Sequence, residues 1–548
     1  MSILTTAMSA GSSGRRTRLV WLLISLGLVL VRALANLNYP IGRDQATYLV
    51  IGEGLLHGQR LYLDLWDNKP PGIFLLYALI AKVFGHVMWS VAVVDILWLL
   101  AVSYLIFRFA EKYAGPATAG VAVVWNAFWH CWAGYWEAGQ AETFLVLFVL
   151  GGYLLMRHEE SARWPRHIAA GLLFGAAFWL KYNAVAFLPF LVLFPFLDWS
   201  ALDKVPRRLS LILPWRGWLR RVLPLVAGFA LALFAVLGFI AFSGAWGAMK
   251  EVQFEVLPRY SAMALARTPH YVFWLLGQTE FSLGFATEIA VAAALVVAWR
   301  QRELSRLAPL VASAALGYVC VAMQVRFHGY TFETAFPFFS MVWGYLAVKL
   351  YQVCRTAARA CLTREWKLAR VLVWVVFANL VFWPMPQQVI NLGVHYRALA
   401  KWWREGHPYY SHYPWLHPIS HYPDQLRVIG YLRANLGPQD GVFVWGSEPL
   451  IYFLTARPCP ARFVTNLALV SPWSPPAWRG ELVDRLRPSP PRFLVVARDD
   501  AVPLITYTKL DSEEFLQVFP EFAIFIADYY EPAKDFGSFV LYWRREVK

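Results

Sequence analysis

Asp44 and Lys69 have the residue types and the setting that most directly permit chemistry in this 548-residue chain. They lie in "GRDQATYLVIGEGLLHGQRLYLDLWDNKPPGIF", residues 42–74, where Arg43, Asp44, Glu53, Asp64, Asp67 and Lys69 stand between two apolar stretches. Lys69 is followed by Pro70 and Pro71. Proline suits the first turn of a helix and not its interior, so Lys69 is expected at a helix mouth. A cation beside helix N-terminal amides makes an anion site, and phosphate is the natural anion. The plain alternative for Lys69 is a lysine snorkelling to a membrane surface.

Further candidates come from separate segments. Glu142 opens an apolar run in "WEAGQAETF", after Glu137 and Gln140. Lys181 interrupts "AAFWLKYNAVAF", and Arg326, His328 and Glu333 lie in "QVRFHGYTFETAFPFF". Singly each has a bland explanation: a carboxylate at a helix start serves the helix dipole, and a lysine can simply close a turn. An ionisable group at a membrane boundary is nevertheless a functional hypothesis by default. Several such groups on one face at one depth form a constellation.

The elements that must position them are membrane helices. The chain is 58% hydrophobic, only 16% charged and carries 27 Trp, against roughly 25% charged residues in soluble globular proteins. Its formal net charge of +15 has no basic stripe interleaved with stacking aromatics, so nucleic acid is not an expected partner. The five cysteines are scattered without metal-ligand spacing. Eleven apolar runs are expected to span, near 19–37, 89–107, 116–130, 141–156, 168–180, 184–198, 222–241, 272–298, 308–323, 335–352 and 371–386. With the N-terminus in the cytoplasm, the inner loops carry 22 Lys and Arg and the outer loops 9, as the positive-inside rule requires. This arrangement places loop 38–88, with Asp44 and Lys69, and the tail 387–548 on the outer face. It divides the chain into a membrane domain, 1–386, and an extracytoplasmic α/β domain, 387–548.

In the tail, "YPDQLRVIGYLRANLG" reads as an amphipathic helix closed by Gly437, while "GVFVWG", "RFLVVARDD", "FAIFIADYY" and "FGSFVLYWRR" read as strands. Trp445, Tyr452 and Trp473 invite a sugar-stacking role, although aromatics of this kind more often form core.

The whole chain resembles the membrane glycosyltransferases of the C-type fold, the group containing protein O-mannosyltransferases and the aminoarabinose transferase of lipid A. The resemblance rests on "RDQATY", "LHGQRLYLDLWDNKPPGIF", "AET", "WLKYNA" and "FHGYTFETAFPF", and in the tail on "VFVWGSEPLIYFLTARPCPARF" and "PPRFLVVARDD". It implies a polyprenyl-phosphate-linked sugar as donor, used on the outer face of the bacterial cytoplasmic membrane, with a lipid, glycan or protein as acceptor. It also implies Asp44 as the catalytic carboxylate, with Glu142 as the next candidate, and inversion at the anomeric carbon. Lys69 matches the lysine of the family's Lys-Pro-Pro motif, and Lys181, Arg326 and His328 are candidates to share the phosphate. Many members carry a second acid where this chain has Gln45, and some an acid where it has Asn68. Those losses remove metal ligands, and a divalent metal ion is left with Asp44 and Glu142 to hold it.

Two other classes fit parts of the pattern. A lipid or glycan flippase also carries charges in its membrane domain, but would show them at mid-span beside paired helix breaks. A catalytically inactive scaffold of the same fold would keep the helices and lose the constellation.

Overall fold

A computed structural model describes residues 2–132, 138–156, 164–204, 209–266, 287–324, 328–360, 385–406 and 421–545, with a few isolated residues between them. The principal helices of the first part are α1 (Ser2–Leu34), α2 (Arg43–Leu56), α3 (Pro71–Phe84), α4 (Ser90–Ala114), α5 (Pro116–Trp132), α6 (Ala141–Leu155), α7 (Trp164–Leu180) and α8 (Trp215–Phe242). They are followed by α9 (Thr287–Gln301), α10 (Leu304–Ala322) and α11 (Phe336–Ala360). Among the described residues, four segments are long and apolar enough to cross a membrane: Gly14–Asn38, Ser90–Ala114, Trp215–Phe242 and Leu304–Ala322.

The expected span near 184–198 is not one helix. It is broken into Tyr182–Phe187, Leu188–Val192 and Phe194–Phe196, because Pro189 and Pro195 each start a new helical piece. The expected span near 371–386 and the first part of that near 272–298 fall outside the described residues.

The chain forms two compact units, each discontinuous in sequence. The first comprises residues 1–37, 95–233 and 270–400. Its packing relies on small residues that let helix backbones meet. A Cβ on Gly171 of α7 would lie 1.9 Å from the Leu225 carbonyl oxygen of α8, and one on Gly228 would lie 2.1 Å from that of Ile168. This contact fixes the path of α7, at whose end Lys181 stands. Similarly, Gly344 of α11 lies against Thr118 and Ala122 of α5. Trp125, Trp129, Phe332, Phe336 and Val321 fill the core beside them, holding the segment that carries Glu333.

The second unit comprises residues 38–94, 234–269 and 401–548. Here α2 and α3 cross at Gly52, whose added Cβ would meet the Ala78 backbone nitrogen at 2.5 Å. The tail adds α12 (Tyr422–Asn435) and four strands, β1 (Val442–Trp445), β2 (Phe493–Ala497), β3 (Tyr530–Asp535) and β4 (Phe539–Arg544). The sheet order is β1-β2-β4-β3, with β1 and β2 parallel and the other pairs antiparallel. The expected strand "FAIFIADYY" is instead the helix Pro520–Tyr529. Pro520 starts it, and Phe522, Phe525 and Ile526 are buried at the i, i+3, i+4 spacing of a helix face. The helix α12 ends at Asn435, and Gly437 donates its amide to Asp440 rather than closing the helix. Trp445, Tyr452 and Trp473 are all buried with their polar atoms satisfied: Trp445 donates to the Ser512 carbonyl, Trp473 to that of Ile505, and the Tyr452 hydroxyl accepts from the Val444 amide. They are core residues and not a sugar platform.

The glycine contacts are testable. Gly171→Ala, which drives a methyl into a backbone carbonyl, should cost about 1–3 kcal/mol of stability in detergent. Gly238→Ala on α8, where the nearest atoms are the Phe242 ring at 3.8 Å, should stay within about 0.5 kcal/mol of wild type in the same thermal melts.

Candidate active site

In the second unit, the site begins at the first turn of α2. Gly42 is its N-cap and Gln45 folds back to the Gly42 amide, so α2 starts at Arg43 and places half-buried Asp44 in the first turn. Pro70 caps α3 and Pro71 opens it, which leaves Lys69 just outside the helix mouth. The segment between them is held by a strained residue. Tyr62 has φ 67°, a left-handed conformation that costs free energy unless its surroundings enforce it. Three contacts do so: its amide donates to the Leu65 carbonyl at 2.7 Å, its carbonyl accepts from Arg462 Nε at 2.8 Å, and its hydroxyl donates to the Lys69 carbonyl at 2.7 Å. Arg462 is itself paired with Glu251 and Glu481, each at 3.0 Å, and lies over the Trp478 ring.

The Lys69 ammonium sits 5.9 Å from the centre of the Tyr48 ring, while its amide donates to Asp67 Oδ1 at 2.9 Å. Asp67 keeps partial access to solvent, yet burial pushes its carboxyl above the usual carboxylate range. The Lys69 charge opposes that shift and the Asp44 charge adds to it. Asp67 is therefore within electrostatic reach of both Asp44 and Lys69. Asp67 does not stand out in the sequence, because the family's acid lies next to the lysine, at the position of Asn68. An acid two residues before a Lys-Pro-Pro run was the available signal.

The first unit holds a second cluster. Glu142, in the first turn of α6, is 1% exposed and accepts a hydrogen bond from the Lys181 ammonium. The same ammonium lies 5.8 Å from the Tyr330 ring centre, and His328 stacks on Tyr330 at 5.4 Å. Glu142, Lys181 and His328 are thus gathered in one place; Arg326 lies outside the described residues. Beside them is an arrangement that sequence reasoning did not single out. His130 bridges Asp95 through Nε2 and Glu333 through Nδ1, both at 2.8 Å, and all three side chains are buried. Asp95 also accepts the Gly139 amide at 2.9 Å, and Glu333 lies within electrostatic reach of Glu142. The signal for Asp95 and His130 was their presence inside the apolar runs "VVDILW" and "FWHCW", where an ionisable residue needs a reason.

Among the described residues, no group of three or more His, Cys, Asp and Glu side chains is placed to hold a metal ion. Glu142 is engaged by Lys181, and Asp67 lies within electrostatic reach of Lys69.

The fold has solved counterparts. The structure superposes on ArnT from Cupriavidus metallidurans with a TM-score of 0.54 over 98% of both chains, at 14% identity, in its apo state. Against the same protein bound to undecaprenyl phosphate the TM-score is 0.53, over 96% of this chain and 97% of that one, at 13% identity. The chain has the C-type glycosyltransferase fold. The sequence model of the dolichyl-phosphate-mannose-protein mannosyltransferase family matches residues 68–242, a stretch that includes Lys69, Glu142 and Lys181. The dolichol phosphate-mannose mannosyltransferase of Haloferax volcanii is 30% identical over 141 residues, which are 24% of this chain and 30% of that relative's length. The C-type fold places the chain among membrane proteins.

Two substitutions probe the clusters. Because the folded chain prefers Asp67 protonated, the contribution of this group to stability is present at acid pH and is lost as pH rises through its folded pKa. Asp67→Asn keeps the acceptor for the Lys69 amide and removes the charge. It should melt above wild type at alkaline pH, and the difference should narrow toward acid. Lys181→Met leaves Glu142 buried and unpaired and should cost about 3 kcal/mol, the low end of the range for breaking a buried pair, since Lys181 retains some exposure. Adding Glu142→Leu should return most of that stability without returning activity.

Proposed function

We propose that this protein is an inverting glycosyltransferase that moves a sugar from a polyprenyl-phosphate donor to a lipid, glycan or protein acceptor at the outer face of the bacterial cytoplasmic membrane. The observation that carries the reading is Asp44 in the first turn of α2 and Lys69 at the mouth of α3, each within electrostatic reach of Asp67, within a C-type fold. A solved protein of that fold binds undecaprenyl phosphate, and the one curated relative noted above is named for a dolichol-phosphate-linked sugar. Both support a lipid-phosphate donor here. The proposed topology counts the broken apolar segment Tyr182–Phe196 as one crossing, which keeps eleven, with a cytoplasmic N-terminus and an outward-facing tail, 387–548, supported by the loop charge bias.

In this reading Asp44 accepts the proton of the acceptor hydroxyl as its oxygen attacks the anomeric carbon. The bond from that carbon to the phosphate oxygen breaks, and the sugar inverts because attack comes from the opposite side. The lipid phosphate leaves with an additional negative charge. Lys69 meets that charge from a helix mouth, where cation and helix amides act together and are already oriented. Lys181, and with it His328 and Arg326, is proposed to share the phosphate, and Glu142 to position the Lys181 ammonium.

Envelope glycans and lipids from cells with and without the gene, compared by mass spectrometry, should differ by one sugar on one acceptor class. Asp44→Asn should reduce that transfer by about 10²–10⁴-fold, the usual contribution of general base catalysis, with normal membrane levels. Lys69→Ala should weaken binding of undecaprenyl phosphate to the purified protein about tenfold or more, the loss of one charge-assisted hydrogen bond. Wild-type transfer by Asp44→Asn would overturn the assignment.

A further inference from the structure

Immediately before Asp44, the chain is gripped from the C-terminal part of the second unit at two points. The Tyr422 hydroxyl of α12 donates to the Ile41 carbonyl at 2.6 Å. Two residues on, Arg43 Nη2 donates to Glu448 Oε1 at 2.5 Å, with both side chains buried. The second oxygen of Glu448 accepts from Gln425, which lies one turn beyond Tyr422 on the same buried face of α12. Glu448 is fixed in turn: it follows β1 by three residues, where Ser447 donates to Asn466 and the Asn466 amide donates to the Gly446 carbonyl. Gly446 leaves no room to shift, since a Cβ there would lie 2.6 Å from that of Ala497 on β2.

A buried Arg–Glu pair of this kind is weak as a stabilising element. Apolar side chains of similar volume in its place usually leave stability unchanged or raise it, because both ions were removed from water to form the pair. What the pair supplies here is direction. A guanidinium held by a carboxylate has one geometry, and the next residue along the chain is Asp44.

We infer that Glu448 is a positioning residue for Asp44: by holding Arg43 at the first turn of α2, with Tyr422 holding Ile41, the C-terminal domain sets the orientation of the Asp44 carboxylate toward the acceptor hydroxyl. The inference rests on the reading of Asp44 as the base. It gives the tail a task in the chemistry that does not require it to touch the donor. The groups facing the Glu448 carboxyl are Arg43 from α2, Gln425 from α12 and Asp500 beyond β2, and Tyr422 of α12 acts on Arg43. Burial pushes that carboxyl up to about 7 against the pull of Arg43, and Asp500 adds to the rise. The Glu448 carboxylate is therefore protonated progressively as pH falls through neutrality, which leaves the Arg43 guanidinium without its counter-charge.

The test uses the full-length protein in detergent or proteoliposomes, with sugar transfer to the identified acceptor and binding of undecaprenyl phosphate as separate readouts. Glu448→Gln should lower the transfer rate about 10–100-fold, the scale of a misplacement near 1 Å, while undecaprenyl phosphate binds as in wild type. The rise in wild-type transfer across neutral pH should flatten in Glu448→Gln. In an Asp44→Asn background the substitution should cost little more, since the group it orients is gone. The double variant Arg43→Met, Glu448→Leu guards against simple misfolding: it should melt at or above wild type and still transfer slowly. Tyr422→Phe should show the same pattern more mildly. Wild-type transfer by the Met/Leu variant, beside an impaired Asp44→Asn, overturns the positioning role and leaves the assignment of Asp44 standing. A full additional loss from Glu448→Gln on top of Asp44→Asn overturns it as well. Wild-type transfer by Asp44→Asn itself overturns the reading of the site, and the positioning role with it.

Discussion

A charge taken out of water must be met by an opposite charge or by several hydrogen bonds, and that requirement organises both compact units. In the first, Asp95, His130, Glu333, Glu142 and Lys181 compensate one another in a space from which solvent is largely excluded. In the second, Arg462 is shared by Glu251 and Glu481, Arg485 also meets Glu481, and Glu448 meets Arg43. Apart from the contacts of Glu481, each of these pairs joins segments far apart in sequence. The apolar helices supply burial, but they do not choose which loop lies beside which. The ion pairs do, because a mispaired loop would leave a charge without a partner.

Backbone packing sets where those charges can stand. The bare α-carbons of Gly171 and Gly228 let α7 and α8 touch, and so fix the end of α7 from which Lys181 projects. The bare α-carbon of Gly52 lets α2 and α3 cross closely, and so fixes the two helix starts that present Asp44 and Lys69. The left-handed Tyr62 belongs to the same scheme. Its strain is tolerable only because Leu65, Lys69 and Arg462 all hold it, and the result is a short connection of defined shape between the two charged helix starts.

What could be read from the sequence was what local chemistry decides. Pro70 and Pro71 dictate a helix start, so the place of Lys69 is legible; Asp44 stands out as a charge at an apolar boundary and through the resemblance, neither of which marks the helix start it occupies. The pairing of Glu142 with Lys181 was not, because 39 residues separate them and only the packing of α6 and α7 brings them together. Asp95 and His130 were absorbed into apolar runs, since a run is recognised by its average and one polar residue barely alters it. The run "FAIFIADYY" was assigned to a strand for a related reason: a short, continuously apolar segment has no clear period, and only the Pro before it favours a helix. In 184–198 the two prolines were visible, but composition outweighed them.

The two clusters differ in exposure, and on the proposed chemistry that difference is functional. A general base must exchange its proton with solvent after each turnover, so Asp44, Asp67 and Lys69 would need the partial access that all three retain. A cation that stabilises a leaving phosphate gains from the opposite setting, because its attraction strengthens as water is excluded. Lys181, with its carboxylate partner sealed from solvent, has that setting. Glu142 is sealed from solvent and paired with Lys181. Its effect on catalysis would pass through Lys181. The base is therefore best sought at the exposed site.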